Sequence, residues 1–279
     1  MPRANRHFLP GLVWHITHRC HQREFLFKFA CDRRNYLQWL YQAKKRFGLC
    51  ILNYIVTSNH IHLLVLDRGS DITARSMQLA AGRTAQQYNR RKARQGAFWE
   101  DRYHATAIQT GEHLHRCITY IDLNMVRAGV VTHPGAWAHS GYNEIQNPPK
   151  RYRIIDLDAL TELCGFSSTQ QLQLEHRQWV ETALAEDTAV PQAQWSESIA
   201  VGSEQFSQCV KERLGLSATH REVVQAQDAY ALREPVAAHK DDFGSEMVAQ
   251  SRHNRVSWEV NVGASDAWKD PTLSRRAAV

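Results

Sequence analysis

The chain reads as an α+β protein whose first half is a ferredoxin-like βαββαβα unit, a four-stranded antiparallel sheet with helices on one face. Three observations predict it. Two β-rich runs, 50–58 and 60–67, adjoin across a Ser58-Asn59 turn. Segments of helical period alternate with the β runs. Turn-forming Gly, Pro or Asx residues lie at most segment ends.

In chain order, GLVWHITHRC (11–20) is β-rich and follows the turn signal Pro10-Gly11. CDRRNYLQWLYQAKKRFG (31–48) spaces its apolar residues near helical period, and Gly48 closes it. CILNYIVTS (50–58) and HIHLLVLD (60–67) form a hairpin. Residues 71–94 read as a helix with Asp71 as N-cap and Gly96 beyond its end. FWEDRYHATAIQT (98–110) alternates like a strand, and EHLHRCITYIDLNMVRAG (112–129) is a helix stopped by Gly129. From Pro134 the chain becomes a connector packed on this domain, with Pro148 and Pro149 near its end. Residues 168–187 and 203–213 read as amphipathic helices that bury Leu172, Trp179, Leu184, Phe206, Val210 and Leu214. The expected organisation is a nuclease-type domain over 1–145, a small acidic helical extension over 146–235, and a polar tail over 236–279 expected to be disordered.

Charge divides the chain in the same way. Residues 1–153 hold 23 Lys and Arg against 9 Asp and Glu, a net +14, whereas residues 154–279 hold 11 against 19, a net −8. A basic first half is the footprint of a protein that meets a polyanion there. Six cysteines without a CxxC pair argue against a disulfide framework or a cysteine zinc site, and for a reducing cytosol. No stretch approaches the ~20 apolar residues of a membrane span, and MPRANRHFLPG lacks the apolar core of a signal peptide. A cytoplasmic, nucleoid-associated protein is the expectation.

Two constellations carry chemistry. His60 and His62 are two apart on a strand, so both imidazoles project to one face and can reach one cation. With fifteen histidines in the chain, such a pair also arises about once by chance. His113 and His115 have the same spacing but lie on a helix, where i and i+2 do not face each other. On that helix Leu114, Ile118, Ile121 and Met125 form the core stripe, and Cys117, Tyr120, Asn124 and Arg127 the neighbouring one. Tyr120 and Asn124 sit one turn apart. A phenol beside a cation can serve as a nucleophile toward phosphate. Read alone, these residues leave open structural histidines and a rim tyrosine.

SNHIHLLV (58–65) and YIDLNMVRAG (120–129), with MPRANRHFLPGLVWHITHRCHQREFLF (1–27) and FWEDRYHAT (98–106), resemble the HUH single-tyrosine transposases, specifically the REP-associated tyrosine transposases. The resemblance covers about residues 1–145. It implies the HUH transposase fold, a Mg²⁺ or Mn²⁺ ion held by His60 and His62 with Asn124 completing the site, and Tyr120 as the nucleophile. The implied partner is single-stranded or hairpin DNA, nicked through a 5′-phosphotyrosine and rejoined. A homodimer is one possible assembly and a monomer the other. Where family members commonly show Pro after the Asn, this chain has Met125.

Candidate DNA contacts are Arg83, Arg90, Arg91, Lys92 and Arg94 at the end of the second helix, and Arg3, Arg6, Arg19 and Arg23 near the first strand. Trp99, Arg102 and Tyr103 are candidates for stacking on unpaired bases, with a place in the core as the alternative for Trp99. Two rivals stand beside the nickase: a non-catalytic nucleic-acid-binding protein on the same fold, and a metal hydrolase that uses a cation-bound water.

Overall fold

A computed structural model describes residues 9–69, 71–186, 193–226 and 229–234. Arg3, Arg6 and the 236–279 tail therefore lie outside the described residues. The first half follows the expected order: β1 (Val13–Arg19), α1 (Ala30–Phe47), β2 (Cys50–Val56), β3 (His60–Leu66), α2 (Ile72–Arg91), β4 (His104–Ile108) and α3 (Glu112–Asp122). β1 is central and antiparallel to both β3 and β4, and β2 pairs with β3, which gives the ferredoxin-like order β2-β3-β1-β4.

Local chemistry fixes the ends. Gly48 ends α1 in a left-handed conformation (φ 77°), which its missing Cβ permits. The hairpin turn is tied by the Thr57 hydroxyl, which accepts from the backbone N–H groups of Asn59 and His60 and donates to the His60 carbonyl. Asp71 precedes α2 at φ 55° without a side-chain cap bond, so it marks the start of the helix without capping it. The strand expected over 98–110 is regular only from His104 to Ile108. The preceding segment turns inward and seats Phe98, Trp99 and Tyr103 in or against the core.

The helices lie on both faces of the sheet, a departure from the one-face layout. Along β1, Trp14, Ile16 and His18 alternate with His15, Thr17 and Arg19. His18 stacks on Trp99 at 3.9 Å, and Trp99 donates to the Ala81 carbonyl, so this face lies toward α2. The other face, bearing His15, Thr17, His60 and His62, lies toward α3. The reason is in β2 and β3, buried along nearly their whole length, which leaves neither face for solvent.

Beyond α3 come α4 (Asn124–Arg127), α5 (Gly141–Gln146), α6 (Leu157–Leu163), α7 (Thr169–Ala185), α8 (Gln194–Glu197) and α9 (Glu204–Leu214). The connector packs on β2: Val56 N–H donates to the His139 carbonyl, and the Trp137 indole to the Val56 carbonyl. At Gly141 a Cβ would collide with the Asn53 side chain, so this approach requires glycine. The extension is helical as read, and it also adds β5 (Ala200–Gly202), β6 (Glu222–Ala226) and β7 (Ala229–Arg233). β5 joins β4 in parallel and continues the sheet. Of its expected core residues, Leu172, Val210 and Leu214 are buried, while Trp179, Leu184 and Phe206 are partly so. No helix among the described residues is long and apolar enough to cross a membrane.

A candidate metal and nucleophile site

His60 and His62 stand at the start of β3, where β1 places Arg19 and Thr17 directly opposite them. Their rings lie edge to face, centroids 4.9 Å apart. The His62 ring is also edge-on to Tyr120 at 5.8 Å, and the Asn124 amide donates to His62 Nε2 at 3.0 Å. These four side chains line one cavity of about 340 Å³, together with Arg19, Arg102, His104, Ser196 and Glu197 among others. A larger cavity of about 670 Å³ beneath Leu123–Thr132 contains neither histidine nor Tyr120.

The helix carrying Tyr120 is interrupted at Leu123, and Asn124 opens α4. Met125 thus falls in a first helical turn, where Pro is tolerated, and its side chain is buried as the apolar stripe requires. Leu114, Ile118 and Ile121 are buried with it. Cys117 is fully buried too, so the polar stripe narrows to Tyr120, Asn124 and Arg127. Arg127 lies over the Tyr120 ring at 4.2 Å and donates to the Tyr120 carbonyl. Burial pushes the Tyr120 phenol above its ordinary value, against the pull of the Arg127 charge.

Hydrogen bonds fix where the imidazole protons sit. Asn59 Oδ1 lies 2.7 Å from His60 Nδ1, and with the amide oxygen as acceptor it places the proton on Nδ1 and frees Nε2. Burial holds His60 down to about 4 and His62 well below 6.5, so both are neutral at physiological pH. Neutral imidazole is the form that binds a cation. Asn124 acts on both rings, and turning its amide over would present an oxygen in place of the nitrogen. Two imidazole nitrogens and an amide oxygen form a donor set that suits Mn²⁺ and admits Mg²⁺. Among the described residues no group of three or more His, Cys, Asp or Glu could hold a metal ion.

Three contributors were missed from sequence. His15, fully buried, lies 2.9 Å from His62 Nδ1, and Trp195 and Ser196 reach the site from the extension. Strand parity with Thr17 and Arg19 marks the face of His15; nothing in the sequence marks Trp195.

The expected DNA contacts divide. Arg19 and Arg102 are exposed and line the cavity. Arg23, Arg83, Arg90 and Lys92 are exposed, Arg83 and Lys92 lying over the Trp39 and Phe29 rings. Arg91 is paired with Asp32 and Arg94 with Glu24. The segment after α2 reaches the histidine end of the sheet, since His21 N–H donates to the Phe98 carbonyl and Cys20 N–H to the Asn59 carbonyl. Tyr103 is 4% exposed, so its ring packs in the protein, while Trp99 is half-buried, packs on His18, Phe27 and Phe98, and lines a second cavity with Arg102. His115 stacks on Trp179 at 4.1 Å, away from the cavity, as its helical spacing implied.

Residues 9–124, which include all four candidate site residues, match the family model described as IS200-like transposase. No curated protein matches the chain. A solved REP-associated tyrosine transposase bound to a REP hairpin is similar with a TM-score of 0.44 and 19% identity, over 52% of this chain and 84% of that one. A putative transposase from Deinococcus radiodurans R1 is similar with a TM-score of 0.31 and 16% identity, over 42% of this chain and 92% of that one. Both are too distant to carry an argument about chemistry. The likeness to the IS200-like transposases is thus carried by residues 9–124, less than half of the chain.

Proposed function

We propose that this chain is a REP-associated type of transposase that nicks and rejoins single-stranded or hairpin DNA, with Tyr120 as nucleophile. The observation that carries the reading is the meeting of His60, His62, Asn124 and Tyr120 in one cavity, whose lining also holds Arg19 and Arg102 beside Glu100, Asp101 and Glu197. His60 Nε2, His62 Nε2 and the Asn124 amide would hold a Mg²⁺ or Mn²⁺ ion. When bound, such an ion supplies positive charge to the phosphate oxygens and the leaving group. Arg127 keeps the Tyr120 ring in place and favours its phenolate. Arg19 and Arg102, exposed at the mouth, attract the DNA backbone.

In the reaction the Tyr120 oxygen bonds to phosphorus as the 3′ oxygen departs with the electron pair of the broken bond. The phenol gives up a proton and the 3′ oxygen takes one up, leaving a 5′-phosphotyrosine and a 3′-hydroxyl. The phosphoester is conserved in the protein link, so attack by another 3′-hydroxyl rejoins DNA without a nucleotide cofactor. A hydrolase using water would need no tyrosine at this point.

The test is labelled single-stranded REP-like DNA incubated with protein and Mn²⁺ or Mg²⁺, then run on a denaturing protein gel. A labelled protein band is expected, absent with Tyr120→Phe. Cleavage that persists in Tyr120→Phe would favour water as nucleophile. DNA binding with no cleavage under either metal would leave a binding protein.

A further inference from the structure

The buried hydrogen bonds behind His62 continue inward. His15 Nδ1 lies 2.7 Å from the Trp195 carbonyl oxygen, and His15 Nε2 lies 2.9 Å from His62 Nδ1. A carbonyl only accepts, so the Nδ1 of His15 must carry the proton. In the neutral ring Nε2 is then an acceptor, and the only partner that suits it is a proton on His62 Nδ1. That leaves His62 Nε2 with its lone pair, facing Asn124 and the cavity. One carbonyl thus sets the tautomers of two imidazoles in series.

The anchor is well held. Trp195 is 1% exposed, and the Thr106 hydroxyl, 2.6 Å from the Ser198 carbonyl oxygen and 3.2 Å from that of Trp195, ties down the same turn. Thr106 is the residue on β4 directly opposite His15. The two imidazole planes are within 10° of parallel, centroids 5.0 Å apart, so His15 fixes the orientation of the His62 ring as well as its proton. Trp195 lies outside the matched stretch, 180 residues from His15.

We infer that His15 is a positioning residue, anchored on the Trp195 carbonyl, that holds His62 in the tautomer whose Nε2 can bind a divalent cation. The C-terminal segment thereby becomes part of the metal site without supplying a ligand. Outer partners of metal-bound histidines act in this way, and their loss typically weakens metal binding by ~10- to 100-fold. The inference rests on the metal reading of His60 and His62 proposed above.

The test uses the full chain with two variants. His15→Gln keeps one acceptor and one donor between His62 and the Trp195 carbonyl, whereas His15→Phe keeps the ring shape and removes both. Mn²⁺ affinity is measured by calorimetry or by the loss of the free-ion paramagnetic signal. The His62 tautomer is read from imidazole ¹⁵N shifts in metal-free protein. The wild-type chain is expected to show His62 protonated on Nδ1. His15→Phe should mix the tautomers and weaken Mn²⁺ binding by ~10- to 100-fold, and His15→Gln should restore binding to within about threefold. A folded His15→Phe chain that binds Mn²⁺ as the wild type does would overturn the inference, as would a Gln variant no better than Phe. Should His15→Phe not fold, the wild-type spectrum decides, because protonation of His62 on Nε2 overturns the inference alone. A wild-type chain that takes up no Mn²⁺ overturns the metal reading and this inference with it.

Discussion

Two fully buried histidines lean on α3, and they face opposite kinds of partner. His176 Nε2 meets Asp122 Oδ2 at 2.7 Å, and both side chains are sealed from solvent. Asn53 and Gln146 bond the other ends of the pair, so every strong group there is engaged. His15 meets a backbone carbonyl and another imidazole, and its chain of bonds ends at the cavity. The first cluster is closed and consumes its polarity in tying α3 to α7 and β2. The second is open at one end and delivers a lone pair to the place where chemistry is proposed. Burial alone does not separate a structural histidine from a functional one; the last group in its chain of bonds does.

The sharpest way to break that contrast is to remove the open end. His60→Ala should lower covalent DNA adduct formation by about 10³-fold, on the order of 4 kcal/mol of barrier. Its partner Asn59 is only partly buried, and the buried Thr57 hydroxyl keeps its bond to the residue-60 carbonyl, so the urea midpoint should scarcely move. A chain that loses adduct and stability together would put His60 in the closed class instead. The converse is His176→Ala, which strands the Asp122 carboxylate in the interior and should cost about 3 kcal/mol of folding stability. Adduct formed per folded molecule should stay within about threefold of wild type, read on samples matched for folded fraction by circular dichroism.

Acid should also tell the clusters apart. Burial lowers His15 to about 4, and the same cause brings His60 and His139 to about 4. Between about 6.5 and about 4 the unfolded chain binds protons that the folded chain refuses. The stability these groups allow is therefore complete above about 6.5, declines as pH falls toward 4, and is level below that. Urea melts in chelator should show a decline on the order of 2 kcal/mol from His15, reduced in His15→Gln. An unchanged slope in that variant would mean that the open cluster tolerates charge.

The same distinction explains what could be read from sequence. The βαββαβα order, the hairpin and the core stripe of α3 depend on local period and turn residues, and these are visible along the chain. So was the pairing of His60 with His62, because alternation along a strand fixes a face. Which residues oppose that face depends on register: Thr17 lies across from His62 only once β1 is slotted beside β3. His15 was hidden for that reason, although its parity with Arg19 was available. Trp195 and the strand Ala200–Gly202 were hidden for another. The strand has three residues, too few for a period, and pairs with β4 some ninety residues earlier in the chain. The burial of Tyr103 was not legible, because an aromatic next to an arginine has the same composition whether it faces a base or the core. Only its packing on His18 distinguishes the two.

The smallest effect expected lies on the rim, outside both clusters. Lys92 and Arg91 are adjacent and both exposed, but Arg91 is already paired with Asp32 while Lys92 rests over the Phe29 ring. A cation that answers a carboxylate displaces few counterions from DNA, whereas one facing only an aromatic ring retains its charge for phosphate. Lys92→Ala should therefore lower the slope of log affinity against log salt for single-stranded DNA by about 0.7, and weaken binding a few-fold at moderate salt. Arg91→Ala should change the slope less, despite the equal formal charge removed. Fluorescence anisotropy across a salt series measures both. Equal slopes for the two variants would show that the Asp32 pair opens on DNA, and that a carboxylate partner does not by itself mark a group as structural.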